Sequence, residues 1–164
     1  MIIQETPFDI DLKTEVETTT FAKKLANLTG PGDVIALYGD LGIGKTVFSR
    51  AFIRAHVGAS IDVPSPTFTL LQTYDTAHVT LYHFDLYRLK NPDEALELGI
   101  DDAFYDGLSL IEWPDRLGQF IPKNRLDITL VQGQHDNQRT AHLIGHGYWS
   151  ARVSEVITGA AIHG

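Results

Sequence analysis

A chain of 164 residues with 43% hydrophobic content is long enough for one domain with a real core, and two domains are not expected. The absence of cysteine excludes disulfides and thiolate metal sites, and no apolar run approaches the roughly 18 residues needed to cross a membrane as a helix. A formal net charge of −8 argues against a protein that grips nucleic acid by neutralising phosphates, although an acidic surface can dock onto a basic partner.

Met1 to Glu5 lacks the basic and apolar regions of a signal peptide, so a soluble cytoplasmic protein is expected. Thr14 and Glu17 form a capping-box pattern, and Phe21, Leu25 and Leu28 follow at helical spacing, which predicts one amphipathic helix over 14–28. Thr29 to Asp33 breaks it and feeds an apolar strand, Val34 to Tyr38. Gly39-Asp40-Leu41-Gly42-Ile43-Gly44-Lys45-Thr46 then matches Gly-x-x-x-x-Gly-Lys-Ser/Thr at every fixed position. Such a loop turns backbone N–H groups onto a triphosphate, sends the lysine to the β and γ oxygens and offers the threonine hydroxyl to Mg²⁺. Thr46 to His56 reads as the helix that must follow, with Val47, Phe48, Ala51, Phe52 and Ala55 on one face. Strand, loop and helix in this order predict an α/β, P-loop NTPase-like fold: three layers, a mostly parallel central sheet with some antiparallel strands, and helices on both faces.

Gly58 to Pro66 is a linker stiffened by Pro64 and Pro66. It reads either as a rigid connection or as a switch-like loop that brings Ser65 or Thr67 to the γ-phosphate. Phe68 to Tyr74 and Val79 to Leu86 predict a hairpin, and the second strand ends at Asp85, where a carboxylate can orient Mg²⁺ or water. Asn91-Pro92-Asp93-Glu94 starts a helix with Ala95, Leu96 and Leu98 on its buried side, Ile100 to Tyr105 forms another, and the nearby acids form a solvated face. Leu108 to Trp113 is a second apolar strand ending in a carboxylate, Glu112, so either Asp85 or Glu112 can serve as the acidic partner of the loop. Trp113 is placed at the ligand crevice. Pro114 stops the strand, Arg125 to Val131 and Arg139 to Ile144 form a hairpin, Tyr148 to Ile157 forms a last helix, and Gly159 to Gly164 is frayed. His142 and His146 are poorly placed for a metal.

The phosphate loop, Ser65-Pro66-Thr67-Phe68, His83-Phe84-Asp85-Leu86-Tyr87-Arg88 and Ile111-Glu112-Trp113-Pro114, in this order, closely resemble the TsaE (YjeE) family from about Thr14 to Ile128. The resemblance implies a bacterial ATPase, with ATP and Mg²⁺ as cofactors, required to make threonylcarbamoyladenosine beside the tRNA anticodon. It also implies partners: TsaD, the transferase, and TsaB, whose complex is reset by ATP hydrolysis, with tRNA touched only indirectly. By motif, Gly39 to Thr46 with Val47 would hold the phosphates, Thr46 and Glu112 would ligate Mg²⁺, and Asp85 would orient water or the metal shell. Ser65 and Thr67 would belong to a mobile loop, Trp113 to the site wall, and Thr18, ahead of Thr19 and Thr20, would approach the nucleotide. Ile43 stands where the family commonly has Ala, a variable loop position where a larger side chain can point outward, so little effect is expected. Beyond Val131 the likeness is loose.

Three other readings compete. A small-molecule kinase needs cations over the transferred phosphate, and only Arg88, Arg116 and Arg125 are placed to supply them. A GTPase would suit Asp115-x-x-Gly118, but no Asn-Lys-x-Asp guanine-reading motif accompanies it. A nucleotide-gated binding module would share most parts of a slow ATPase.

Overall fold

In the computed structural model, which describes residues 7–58 and 60–159, the strand before the phosphate loop lies in the middle of a seven-stranded sheet. In chain order the elements are β1 (Phe8–Leu12), α1 (Glu15–Ala26), β2 (Val34–Tyr38), α2 (Lys45–Val57), β3 (Leu71–Asp75) and β4 (Thr80–Asp85). There follow α3 (Glu94–Glu97), α4 (Ile100–Asp106), β5 (Leu108–Glu112), 3₁₀ turns over Pro114–Phe120, β6 (Arg125–Gln132), β7 (Arg139–His146) and α5 (Trp149–Gly159). The sheet order is β1-β7-β6-β2-β5-β4-β3. The four central strands β6, β2, β5 and β4 run parallel, while β3, β7 and β1 add antiparallel edges.

Alternation along the strands splits the core in two. On one face Ile35, Leu37, Leu81, Leu110 and Ile128 meet Phe21 and Leu25 of α1, Phe48 and Phe52 of α2 and Val153 of α5. On the other, Val34, Phe84 and Ile111 meet Ala95, Ile100, Ala103 and Leu117. Helices therefore cover both faces, as the α/β expectation required. Thr14 caps α1 by accepting from the Glu17 N–H, and the Glu17 carboxylate accepts from the Lys13 N–H, so the capping signal is realised.

Three elements differ from the sequence expectation. β1 was not anticipated: Phe8, Ile10 and Leu12 alternate with aspartates, but five residues ahead of a helix become a strand only because β7 supplies the ladder. β3 starts at Leu71 rather than Phe68, because Leu70 takes a left-handed φ of 67° and its N–H returns to the Pro66 carbonyl at 2.6 Å, closing a turn. Phe68 stands 81% exposed on that turn. The helix from Asn91 shrinks to one turn, and Leu96 faces solvent rather than the core, while Ala95 is buried and Leu98 packs partly buried against the same cluster. The expectation of fraying over 159–164 lies outside the described residues, except that Gly159 ends α5.

The C-terminal helix is tied to the start of β2. Arg152 reaches Asp33 with both terminal nitrogens, at 2.6 and 3.2 Å, donates to the Leu28 carbonyl, and lies 3.8 Å from the buried Trp149 ring. This docking needs a residue without a side chain on β7: a Cβ on Gly145 would sit 2.3 Å from the Trp149 carbonyl oxygen and 2.9 Å from the Ser150 nitrogen, both backbone atoms. Gly145→Ala is therefore expected to lower the urea-unfolding free energy by about 1–3 kcal/mol, the range for overpacking; an unchanged midpoint would refute the close approach.

Candidate active site

β2 ends where the loop Gly39 to Thr46 begins, and α2 starts at Lys45 on an N-cap, Gly44, whose φ of 118° a residue with a side chain rarely adopts. The N-terminal end of a 13-residue helix thus faces the loop's interior with its partial positive charge. Lys45 is 6% exposed; its ammonium donates to the Gly39 carbonyl and stands 3.8 Å from the centre of the Trp113 ring. Burial holds the ammonium below its ordinary pKa, and the carboxylates of Glu112 and then Asp85 pull it part of the way back.

Those carboxylates close the ends of two neighbouring parallel strands. Asp85 and Glu112 are direct register partners across β4 and β5, and each is 6% exposed. Asp85 accepts from the Thr67 hydroxyl at 3.1 Å and from the Tyr87 N–H at 3.1 Å, and Thr67 is joined to Ser65 at 2.7 Å. Glu112 accepts from His83 Nε2 at 2.7 Å and from Ser49 Oγ at 3.2 Å. Immediately after Glu112, Trp113 turns into a left-handed conformation (φ 58°, ψ 50°), costly for a bulky residue. That turn brings its ring over Lys45 and within 4.9 Å of the Tyr87 ring.

Leu41, Gly42, Gly44, Lys45, Thr46, Val47, Ser65, Thr67, Asp85, Glu112 and Trp113 line one cleft of about 280 Å³, so most of the expected set is brought together. Gly39, Asp40 and Ile43 line a neighbouring cavity of about 310 Å³. Of the three threonines, Thr18 shares a small cavity with Ile43, Gly44 and Val47, whereas Thr19 opens onto a groove between α1 and α2 and Thr20 bonds back to the Val16 carbonyl. That groove, about 650 Å³ and lined by Lys23, Arg50 and Arg54, is larger than the cleft but contains neither Asp85 nor Glu112.

One expectation is corrected. Ile43 does not point outward: it packs against the core, and its Cγ2 would lie 2.7 Å from a Cβ placed on Gly39, so it helps require glycine there. Arg125 is committed to Asp127, at 2.9 Å, and to the Pro122 carbonyl, while Arg88 and Arg116 lie over the rings of Phe68 and Tyr87. Three participants were not singled out as site residues. Ser49 and His83 read as ordinary positions on a helix and a strand, with a polar residue at a buried place as the one available signal. Arg139 donates to the Ile43 carbonyl at 2.6 Å across 96 residues, a contact with no local signature.

The donor set suits a hard cation. Thr46, Asp85 and Glu112 offer oxygens in one cleft, and among the described residues no group of three or more His, Cys, Asp or Glu side chains could form a cage by itself. One hydroxyl and one or two carboxylates, completed by phosphate oxygens and water, is the environment Mg²⁺ takes.

Because the folded chain holds Lys45 below 10.5, the unfolded chain binds more protons between that lowered pKa and 10.5, and stability rises with pH there. Lys45→Met removes this contribution, so the stability difference between the two proteins should shift toward wild type as pH rises through that interval, measured by urea unfolding. The same variant is expected to weaken triphosphate binding by about 1.5–3 kcal/mol in calorimetry. Unaltered affinity would show that Lys45 does not touch the phosphates.

The family model described as threonylcarbamoyl adenosine biosynthesis protein TsaE matches residues 12–141. A protein of Rickettsia bellii named tRNA threonylcarbamoyladenosine biosynthesis protein TsaE is 45% identical over 119 residues, 73% of this chain and 83% of its own. Its namesake in Bacillus subtilis is 38% identical over 134 residues, 80% of this chain and 83% of that one. The crystal structure of Bacillus subtilis YdiB superposes with a TM-score of 0.78 at 29% identity, covering 99% of both chains. The chain belongs to the TsaE family, whose members take part in threonylcarbamoyladenosine biosynthesis in tRNA.

Proposed function

We propose that this protein is a Mg²⁺-dependent ATPase that supports formation of threonylcarbamoyladenosine next to the tRNA anticodon by acting on the TsaD–TsaB complex, without being the transferase. The observation that carries this reading is the convergence of Lys45, Thr46, Asp85 and Glu112 in one cleft at the N-terminus of α2. In it the loop N–H groups and Lys45 hold the phosphates, and Thr46 and Glu112 hold the cation. Asp85, backed by Thr67, orients a water toward the γ-phosphate. Mg²⁺, when bound, would neutralise charge developing on the phosphoryl oxygens.

A kinase is disfavoured because Arg125 is spent on Asp127 and the other two arginines rest on aromatic rings. A chain of net charge −8 also favours indirect contact with tRNA through protein partners in the cytoplasm. No described helix is long and apolar enough to cross a membrane. One observation favours a second reading, a nucleotide-gated binding module: the Ser65–Thr67–Asp85 chain joins the proline-stiffened loop to the nucleotide cleft and could report occupancy without hydrolysis.

Reconstitution of tRNA modification with TsaD and TsaB, with and without ATP, tests the proposal. Modification should require ATP hydrolysis for repeated turnover, and Asp85→Ala should stop hydrolysis and modification together. Modification that continues in this variant would establish the gated module. Glu112→Gln is expected to weaken the Mg²⁺ dependence of nucleotide binding by about 1.5–3 kcal/mol; unchanged dependence would remove Glu112 from the metal site.

A further inference from the structure

Strand alternation places His83 on the same face of β4 as Leu81, among buried apolar side chains, and the imidazole is 2% exposed. Packing alone does not call for an imidazole there. Its Nδ1 is buried with no hydrogen-bond partner, an arrangement that is unfavourable wherever it occurs. Its Nε2 lies 2.7 Å from Glu112 Oε2, and since a carboxylate only accepts, Nε2 carries the proton. Ser49, 1% exposed on α2, donates to the same oxygen at 3.2 Å. Two donors from two different elements therefore converge on Oε2, so neither of them occupies Oε1, and Glu112 lines the cleft together with Thr46. A space of about 10 Å³, roughly one water in size, lies between Thr46, Ser49, Ser65, His83 and Glu112.

We propose that His83, assisted by Ser49, is a positioning residue that fixes the Glu112 carboxylate so that Oε1 is presented to the cation bound beside Thr46. The inference rests on the Mg²⁺–ATP reading above. Glutamate has three rotatable bonds, and at a strand end next to a left-handed Trp113 its head group is held by these two hydrogen bonds together with the charge of the nearby Lys45 ammonium. Fixing one oxygen from behind turns a flexible acceptor into a preformed ligand. A carboxylate–histidine contact of this kind outside the ligands typically changes metal affinity by about 10–100-fold.

The test uses the full chain and a fluorescent ATP analogue, titrated in EDTA and across Mg²⁺ concentrations. His83→Leu should raise the Mg²⁺ concentration for half-maximal tightening about tenfold while leaving affinity in EDTA unchanged. His83→Gln, whose amide can replace the Nε2–H donor, should return within about threefold of wild type. Ser49→Ala, a smaller change that guards against misfolding of His83→Leu, should shift the same midpoint by about threefold. An unmoved Mg²⁺ midpoint in both His83→Leu and Ser49→Ala would overturn the positioning role. So would equal losses with and without Mg²⁺, which would make His83 a packing residue. Absence of any Mg²⁺ effect in the wild type would instead overturn the reading of the site itself.

Discussion

A buried ammonium is the constraint on which the site depends. Taking a lysine head group out of water is unfavourable unless opposite charge and acceptors replace its hydration. Here the replacements come from three separate elements: the Gly39 carbonyl from the loop, Asp85 from the end of β4 and Glu112 from the end of β5, with the Trp113 ring above. They meet only if β2, β4 and β5 lie side by side with their ends level. The parallel order β2-β5-β4, with Leu37 opposite Glu112 and Glu112 opposite Asp85, provides that. The sheet is therefore more than a platform for the loop, since its register brings the compensating charges to one point.

Each carboxylate is in turn held by hydroxyl or imidazole donors from outside the loop. Asp85 is joined through Thr67 to Ser65 on the proline-rich segment, so anything that moves that segment acts on Asp85 first. Glu112 is joined to the interior of α2 and β4 through Ser49 and His83. The two acids thus differ in mechanical setting: one is coupled to an exposed loop, the other anchored to buried elements. This asymmetry accords with assigning water orientation to the first and metal binding to the second.

The C-terminal third serves the site from a distance. Arg152 on α5 grips Asp33 at the foot of β2, and Arg139 on β7 holds the Ile43 carbonyl at the back of the phosphate loop. The region beyond Val131, which the family model matches as far as residue 141, thus braces both ends of the strand–loop unit.

The amino-acid order by itself determined the local units. Gly39 to Thr46 specifies its turn because glycines tolerate the positive φ values there, and Thr14 with Glu17 marks a helix start from side-chain geometry alone. The apolar runs ending in Asp85 and Glu112 announced two strand-end carboxylates, and HFDLYR with EWP identified the family. What only the tertiary structure decided were relations between units. Those were the level register of Asp85 and Glu112, the placing of Thr18 in a small cavity beside Gly44 and Val47, the inward packing of Ile43, the strand β1, and the reach of His83, Ser49 and Arg139 to their partners. The physical reason is range. Turn, cap and alternation preferences act over a few neighbouring residues, whereas a hydrogen bond across 29 or 96 residues exists only once the sheet has brought its ends together.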